Sequence, residues 1–171
     1  MIDTTSAVLD RWGGVLLTTA VATPVAALVV WAQAARRGWR NPALEAVLVL
    51  GTLPWLWMVL TPRGTGRALD LVPFADLAGQ LGAASAVEQI GGNLLVFAAL
   101  GAAAPLRWPL GWRVVAIAAA GSVAIEVAQY VLAIGRVSSA DDVLLNVAGA
   151  ALAAAASRHW WRAGWARAGH R

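Results

Sequence analysis

The chain has 171 residues, of which 60% are hydrophobic and only 13% charged, and its mean hydropathy is +0.67. A water-soluble domain carries about 25% charged residues, so the shortfall points to a lipid bilayer rather than to an ordinary core. The net charge of +4 and the pI near 11.3 come from arginines that flank apolar runs; they form no basic arm or helix face, which argues against nucleic acid as a partner.

Five apolar runs follow in chain order, each close to the roughly 20 residues that a membrane helix needs. The first is expected over 13–35, with Pro24 as a kink, and the second over 42–61. The start of the second, NPALE, reads as Asn41 capping, Pro42 in the first turn and Glu45 close behind. The third is expected over 87–105, the fourth over 112–134 and the fifth over 140–159, ahead of an Arg-rich tail at 158–171. The whole chain, 1–171, is expected to be one membrane domain. Its predicted fold is all-α, a polytopic bundle of about five transmembrane helices with a short re-entrant or interfacial segment between the second and third.

The absence of cysteine removes disulfides, thiol catalysis and zinc–thiolate sites. Both histidines, His159 and His170, lie in the arginine-rich tail. Neither a cofactor nor a bound metal is expected. Asp3 and Asp10 stand where a secretory signal carries positive charge, so none is expected.

Five spans put Arg36, Arg37, Arg40, Arg107, Arg113, Arg158, Arg162, Arg167 and Arg171 on one side. The positive-inside rule then predicts a multi-pass plasma-membrane protein with its N-terminus extracytoplasmic and its C-terminus cytoplasmic. Tryptophans near the span ends, such as Trp31, Trp39, Trp108, Trp112, Trp160 and Trp161, agree with those boundaries.

In this arrangement RVSSADDVLLN, residues 136–146, becomes an extracytoplasmic turn followed by a helix. Glu126 and Gln129 share a helix face with Ser122; Asp142, Asn146 and Gly149 form a second stripe, and Gln89 and Asn93 a third. All lie in one layer beneath the outer surface. A membrane-embedded ionisable group is costly and turns to the bundle interior, where it finds partners. Arg136 is the nearest cation for Glu126 or Asp142, and a protonated Glu126 bonded to Gln129 is the alternative. The aspartates have a simpler reading too, because Ser139-x-x-Asp142 or Ser138-x-x-Asp141 fits a capping box. Asn93 and Asn146 fit interhelical hydrogen bonding equally well, and Gly149 with Ala153 fits a packing seam. The segment LDLVPFADL, residues 69–77, is too apolar for a free loop and too short to span; with Pro73 in its middle it is expected to lie at the interface.

In the order LDLVPF, GGNLLVFAALG, SVAIEVAQY and RVSSADDVLLNVAG, these segments resemble the VanZ-like family of integral membrane proteins, over about 69–156. The positions that match are Pro73, Phe74, Asn93, Phe97, Glu126, Gln129, Arg136, Asp141, Asp142, Asn146 and Gly149. Asp70 stands where the family usually has asparagine, and Ser139 where it often has a further acid, which speaks against an acidic triad holding a metal. The resemblance implies a cell-envelope membrane protein, with a link to teicoplanin-type glycopeptide resistance through the founding member.

Three function classes follow. The first is a binding protein whose outer-side polar pocket, formed by Asn93, Glu126, Gln129, Arg136, Asp142, Asn146, Pro73 and Phe74, engages an anionic lipid-linked envelope precursor or an amphiphilic glycopeptide. Arg136 would meet the anion and the segment around Phe74 the lipid chain. The second is a membrane enzyme acting on a phosphorylated lipid, with Glu126 as acid or base and Asp141, Asp142 and Arg136 at the phosphates. No nucleophile is evident, since Ser138 and Ser139 lack a histidine. The third is an accessory subunit packed against another membrane protein.

Overall fold

Apolar composition leaves the backbone no water to bond with in a bilayer, so continuous helix is the expected solution. A computed structural model describes residues 4–75 and 86–168, with side chains for 13–75 and 89–165. Asp3, Asp10, Arg167, His170 and Arg171, on which the sequence reading drew, have side chains outside that description. The element order is α1 (Thr4–Arg37), α2 (Arg40–Leu60), β1 (Gly66–Asp70), α3 (Ala86–Val96), α4 (Ala98–Arg107), α5 (Arg113–Leu132), β2 (Ile134–Ser139) and α6 (Ala140–Ala168). Five stretches are long and apolar enough to cross a membrane: Gly13–Arg37, Arg40–Leu60, Gln89–Arg107, Arg113–Leu132 and Ala140–Trp165. The protein is therefore a helical membrane bundle, as its composition predicts.

Three details depart from expectation. Helix α2 starts at Arg40 with Trp39 in the N-cap position and no side-chain cap, so Asn41 is inside the helix rather than capping it. Glu45 does more than mark a helix start, for it accepts from Arg107 Nε at 2.9 Å and pairs with Arg37 at 3.5 Å. The fifth helix does not end near 159: α6 runs on to Ala168, with Trp161 buried and Trp165 Nε1 donating to the Pro105 carbonyl at 2.9 Å.

The third span is broken. Phe97 leaves helical geometry at φ −116°, ψ 11°, separating α3 from α4. Its ring packs where a Cβ on Gly121 of α5 would come within 2.9 Å of it. Close approach also joins this span to α6, since a Cβ on Gly149 would strike the Leu94 carbonyl and one on Gly101 the Ala150 carbonyl. Small residues let membrane helices pack backbone to backbone, and that contact replaces the hydrophobic drive that lipid removes. The core is Val59, Val96, Phe97, Ala118, Ile125 and Ala150, with Ala104, Val114 and Ala154 nearer the other end. Helix α1 packs along α2, and none of its most apolar stretch is buried within the protein.

At one end of the bundle, β1 and β2 pair in parallel, with Ala68 opposite Val137, Leu69 opposite Ser138 and Asp70 opposite Ser139. This short ribbon ties the 66–70 segment to the turn before α6.

Candidate functional site

The polar residues singled out from the sequence gather around this ribbon, and the geometry gives each a partner. Helix α6 begins at Ala140, and Ser139 is its cap, its Oγ accepting the Asp141 backbone N–H at 3.1 Å. The Ser139 backbone N–H donates to Glu126 Oε2 at 2.9 Å, and Ser138 Oγ donates to the Glu126 carbonyl at 2.9 Å. In a capping box the acid that accepts the cap residue's N–H comes from the helix itself. Here that acceptor is Glu126, supplied by the neighbouring helix α5. A mid-span carboxylate thus has a definite partner at a buried helix start.

From the same helix start, Asp141 Oδ1 accepts the Phe74 backbone N–H at 2.6 Å. Phe74 holds a φ of 68°, in the left-handed region that a bulky residue avoids, and its side chain is 64% exposed. Ahead of it, Asp70 Oδ1 accepts the Val72 backbone N–H at 3.0 Å in a local turn. An asparagine at 70 offers the same oxygen, and an aspartate at 139 can cap as a serine does. Both departures from the family pattern therefore preserve the local chemistry. Asn93 Nδ2 donates to Asp142 Oδ1, tying α3 to α6. Asn146 Nδ2 donates to Ser122 Oγ at 2.8 Å, tying α6 to α5.

Arg136 and Gln129 share a role that spacing did not disclose. The last carbonyls of a helix have no intrahelical partner, and a cation there is favoured by the helix dipole. At the end of α2, Arg136 Nη2 donates to the Met58 carbonyl at 2.6 Å and Arg136 Nε to the Thr61 carbonyl at 3.2 Å. Gln129 Nε2 takes the Val59 carbonyl at 3.0 Å, and Thr61 Oγ1 takes the Trp57 carbonyl at 2.6 Å. Burial, and then the nearby Arg63 charge, pull the Arg136 guanidinium down to about 10, which leaves it fully charged at neutral pH.

Sequence reasoning passed over two neighbours. Arg63, whose N–H donates to the Ile134 carbonyl at 3.0 Å, and Arg67, whose guanidinium carbon lies 5.7 Å from the Tyr130 ring centre, stand at the same end with their side chains exposed. Among the described residues, Arg63, Arg67 and Arg136 have no carboxylate within ion-pair distance. Their clustering was hidden because β1 and β2 are some 69 residues apart in sequence and meet only through the parallel pairing. Beside them, Leu69, Leu71, Val72 and Phe74 are 55–67% exposed and form an apolar shelf. Two buried oxygens, Gln129 Oε1 and Asn146 Oδ1, lack a hydrogen-bond partner. No group of three or more histidine, cysteine or acidic residues able to hold a metal occurs among the described residues.

The family model described as VanZ/LLP1 matches residues 46–161. The match takes in Asn93, Glu126, Arg136, Asp142 and the ribbon, and stops short of α1. No curated protein and no solved structure matches the chain significantly.

Proposed function

The chain belongs to the VanZ/LLP1 family, and from that premise we propose that it is a membrane-embedded binding protein for an anionic amphiphile. The ligand class is a lipid-linked envelope precursor, or a glycopeptide carrying an acyl chain, engaged at the end of the bundle that bears the ribbon. The observation that carries this reading is the set of three arginines, Arg63, Arg67 and Arg136, with no carboxylate within ion-pair distance among the described residues, beside an exposed apolar shelf. Guanidinium groups match phosphate and carboxylate in shape and charge. Leu69, Leu71, Val72 and Phe74 would lie along the hydrocarbon chain. In the orientation predicted from arginine placement, this end is extracytoplasmic, where such precursors are presented. A contribution to teicoplanin-type resistance would follow from competition for the same anionic amphiphiles.

The enzyme reading has less support. Glu126 is engaged at the start of α6, and the hydroxyls beside it have structural partners, Ser138 Oγ the Glu126 carbonyl and Ser139 Oγ the Asp141 N–H. The accessory-subunit reading draws on one feature, α1, whose apolar surface another membrane protein could cover.

The test is co-purification. Protein extracted from cells is expected to carry a polyprenyl phosphate or a related anionic lipid, identified by mass spectrometry. Arg63→Gln combined with Arg67→Gln should leave the protein level unchanged and reduce that lipid by about fivefold or more for each charge removed. The loss should be screened by salt. Retention should be flat between about pH 6 and about pH 8.5, where Arg136 stays charged. The folded-state lowering of Arg136 favours its neutral form only near pH 10 and above, where retention should fall. Full retention of bound lipid in the double variant would overturn the reading.

A further inference from the structure

The opposite end of the bundle is built differently, and it holds a second charged surface independent of the site above. Helix α5 starts there at Arg113, directly after Trp112, and α6 passes it in its last turns. The Trp112 and Trp161 rings meet edge to face at 6.0 Å, and the Arg162 guanidinium carbon lies 5.6 Å from the Trp161 ring centre. Trp161 is only 6% exposed, and its Nε1 is held by the Ala154 carbonyl at 3.2 Å, so the pair is fixed. Arg158 is four residues before Arg162, on the same flank of α6. Arg113, Arg158 and Arg162 are exposed and have no carboxylate partner among the described residues. Glu45 is the sole acid described at this end, and Arg107 and Arg37 already engage it.

Arg162 lies against the tryptophan pair, Arg113 follows Trp112 in the chain and Arg158 is one turn before Arg162; three such cations without a carboxylate among the described residues call for an anion, and two observations say which kind. Trp112 is 45% exposed at the level where indole rings favour the interface between head groups and acyl chains. Ile117, one turn further into the candidate span on the same stripe as Arg113, is an apolar side chain 46% exposed. A free phosphate has no use for that continuation. We propose that the Trp112–Trp161 pair, with Arg113, Arg158 and Arg162, seats the head group of an anionic phospholipid, whose acyl chain descends along Ile117.

The seat is a binding site for bulk anionic lipid, distinct in position and partner from the ribbon-end site. Its occupant bridges α5 and α6, and so holds the two helices that carry Glu126 and Asp142 in register.

Native mass spectrometry of the whole protein, released from nanodiscs of equal phosphatidylglycerol and phosphatidylcholine, tests it. The wild-type protein should retain phosphatidylglycerol in preference. Arg113→Gln, Arg158→Gln and Arg162→Gln together should weaken that preference by about fivefold for each charge removed, with the protein still folded by its circular dichroism. Trp112→Ala should also reduce it. Arg36→Gln with Arg37→Gln, which alters the same membrane face but not the seat, should leave it within twofold. An undiminished preference in the triple variant, an equal loss in the Arg36/Arg37 variant, or no preference in the wild type would each overturn the proposal. Arg63→Gln with Arg67→Gln reports separately on the ribbon end, so the two sites fail independently.

Discussion

At the residue scale, Glu126 shows how a costly group can be a structural necessity. A carboxylate within a span costs a few kcal/mol to bury. A backbone N–H left unpaired at a buried helix start costs about 1–3 kcal/mol. Glu126 Oε2 meets the Ser139 N–H, and Ser139 is only 3% exposed, so water is a poor substitute. Glu126→Gln keeps an acceptor oxygen and sheds the charge, and is expected to fold at least as stably as the wild type. Glu126→Leu sheds both and should melt below Glu126→Gln in detergent, by the equivalent of about 1–3 kcal/mol. Equal melting of the two would mean that the N–H does not depend on this side chain. Residues of this kind were legible in the sequence because polar groups stand out against an apolar run. Their partners were not: the carbonyls of Met58, Val59 and Thr61 that hold Arg136 and Gln129 are main-chain groups, which carry no mark in a sequence.

Elements were legible to the extent that each is set by local pattern. All five spans stand within a few residues of where apolar length puts them, except that α1 begins at Thr4, ahead of its apolar run, and α6 runs on through arginine and tryptophan to Ala168. The break at Phe97 and the β1–β2 ribbon escaped notice because both are tertiary. Phe97 sits in a run that is helical by every local measure, and what meets it is the bare surface of Gly121 on another span. Gly149 was read as a packing position, and its approach to Leu94 supports a concrete expectation. A Cβ at 149 would drive into the Leu94 carbonyl, and a backbone cannot rotate away as a side chain can. Gly149→Ala should therefore push α6 from α3, weaken the Asn93–Asp142 bond and lower stability by about 1–3 kcal/mol or more. Gly91→Ala, where a Cβ meets nothing within 4 Å, is the matched control on α3 and should be neutral or slightly stabilising. Melting temperatures in one detergent decide it, and indistinguishable values for the two variants would show that the helices can part without penalty.

For the whole molecule, the governing feature is that the two ends differ in chemistry. The ribbon end joins three arginines to Glu126, Asp141 and Asp142, whereas the other end is dominated by arginine and tryptophan with Glu45 its sole described acid. Lipid bilayers are asymmetric in the same sense, and positive loops stay cytoplasmic. That predicts which way round the protein sits, and α6 offers the cleanest place to ask. Val137, in β2 just before α6, is 48% exposed, and His159 is exposed near the far end of the helix. The 21 residues between them amount to roughly 30 Å of mostly helical rise, which is the thickness of the hydrocarbon core. The sequence contains no cysteine, so one can be placed at each position on a clean background. Ser138 would be a poor choice, because it is buried and bonded to the Glu126 carbonyl. In intact cells, Val137→Cys is expected to react with a membrane-impermeant thiol reagent, and His159→Cys only after the membrane is opened. The reverse pattern would keep the five-span bundle and turn it over, placing the ribbon and its three arginines on the cytoplasmic side, out of reach of extracytoplasmic precursors. Equal labelling of both positions would mean that α6 does not cross the bilayer at all, and the broken third span that packs along it would then have to be placed anew.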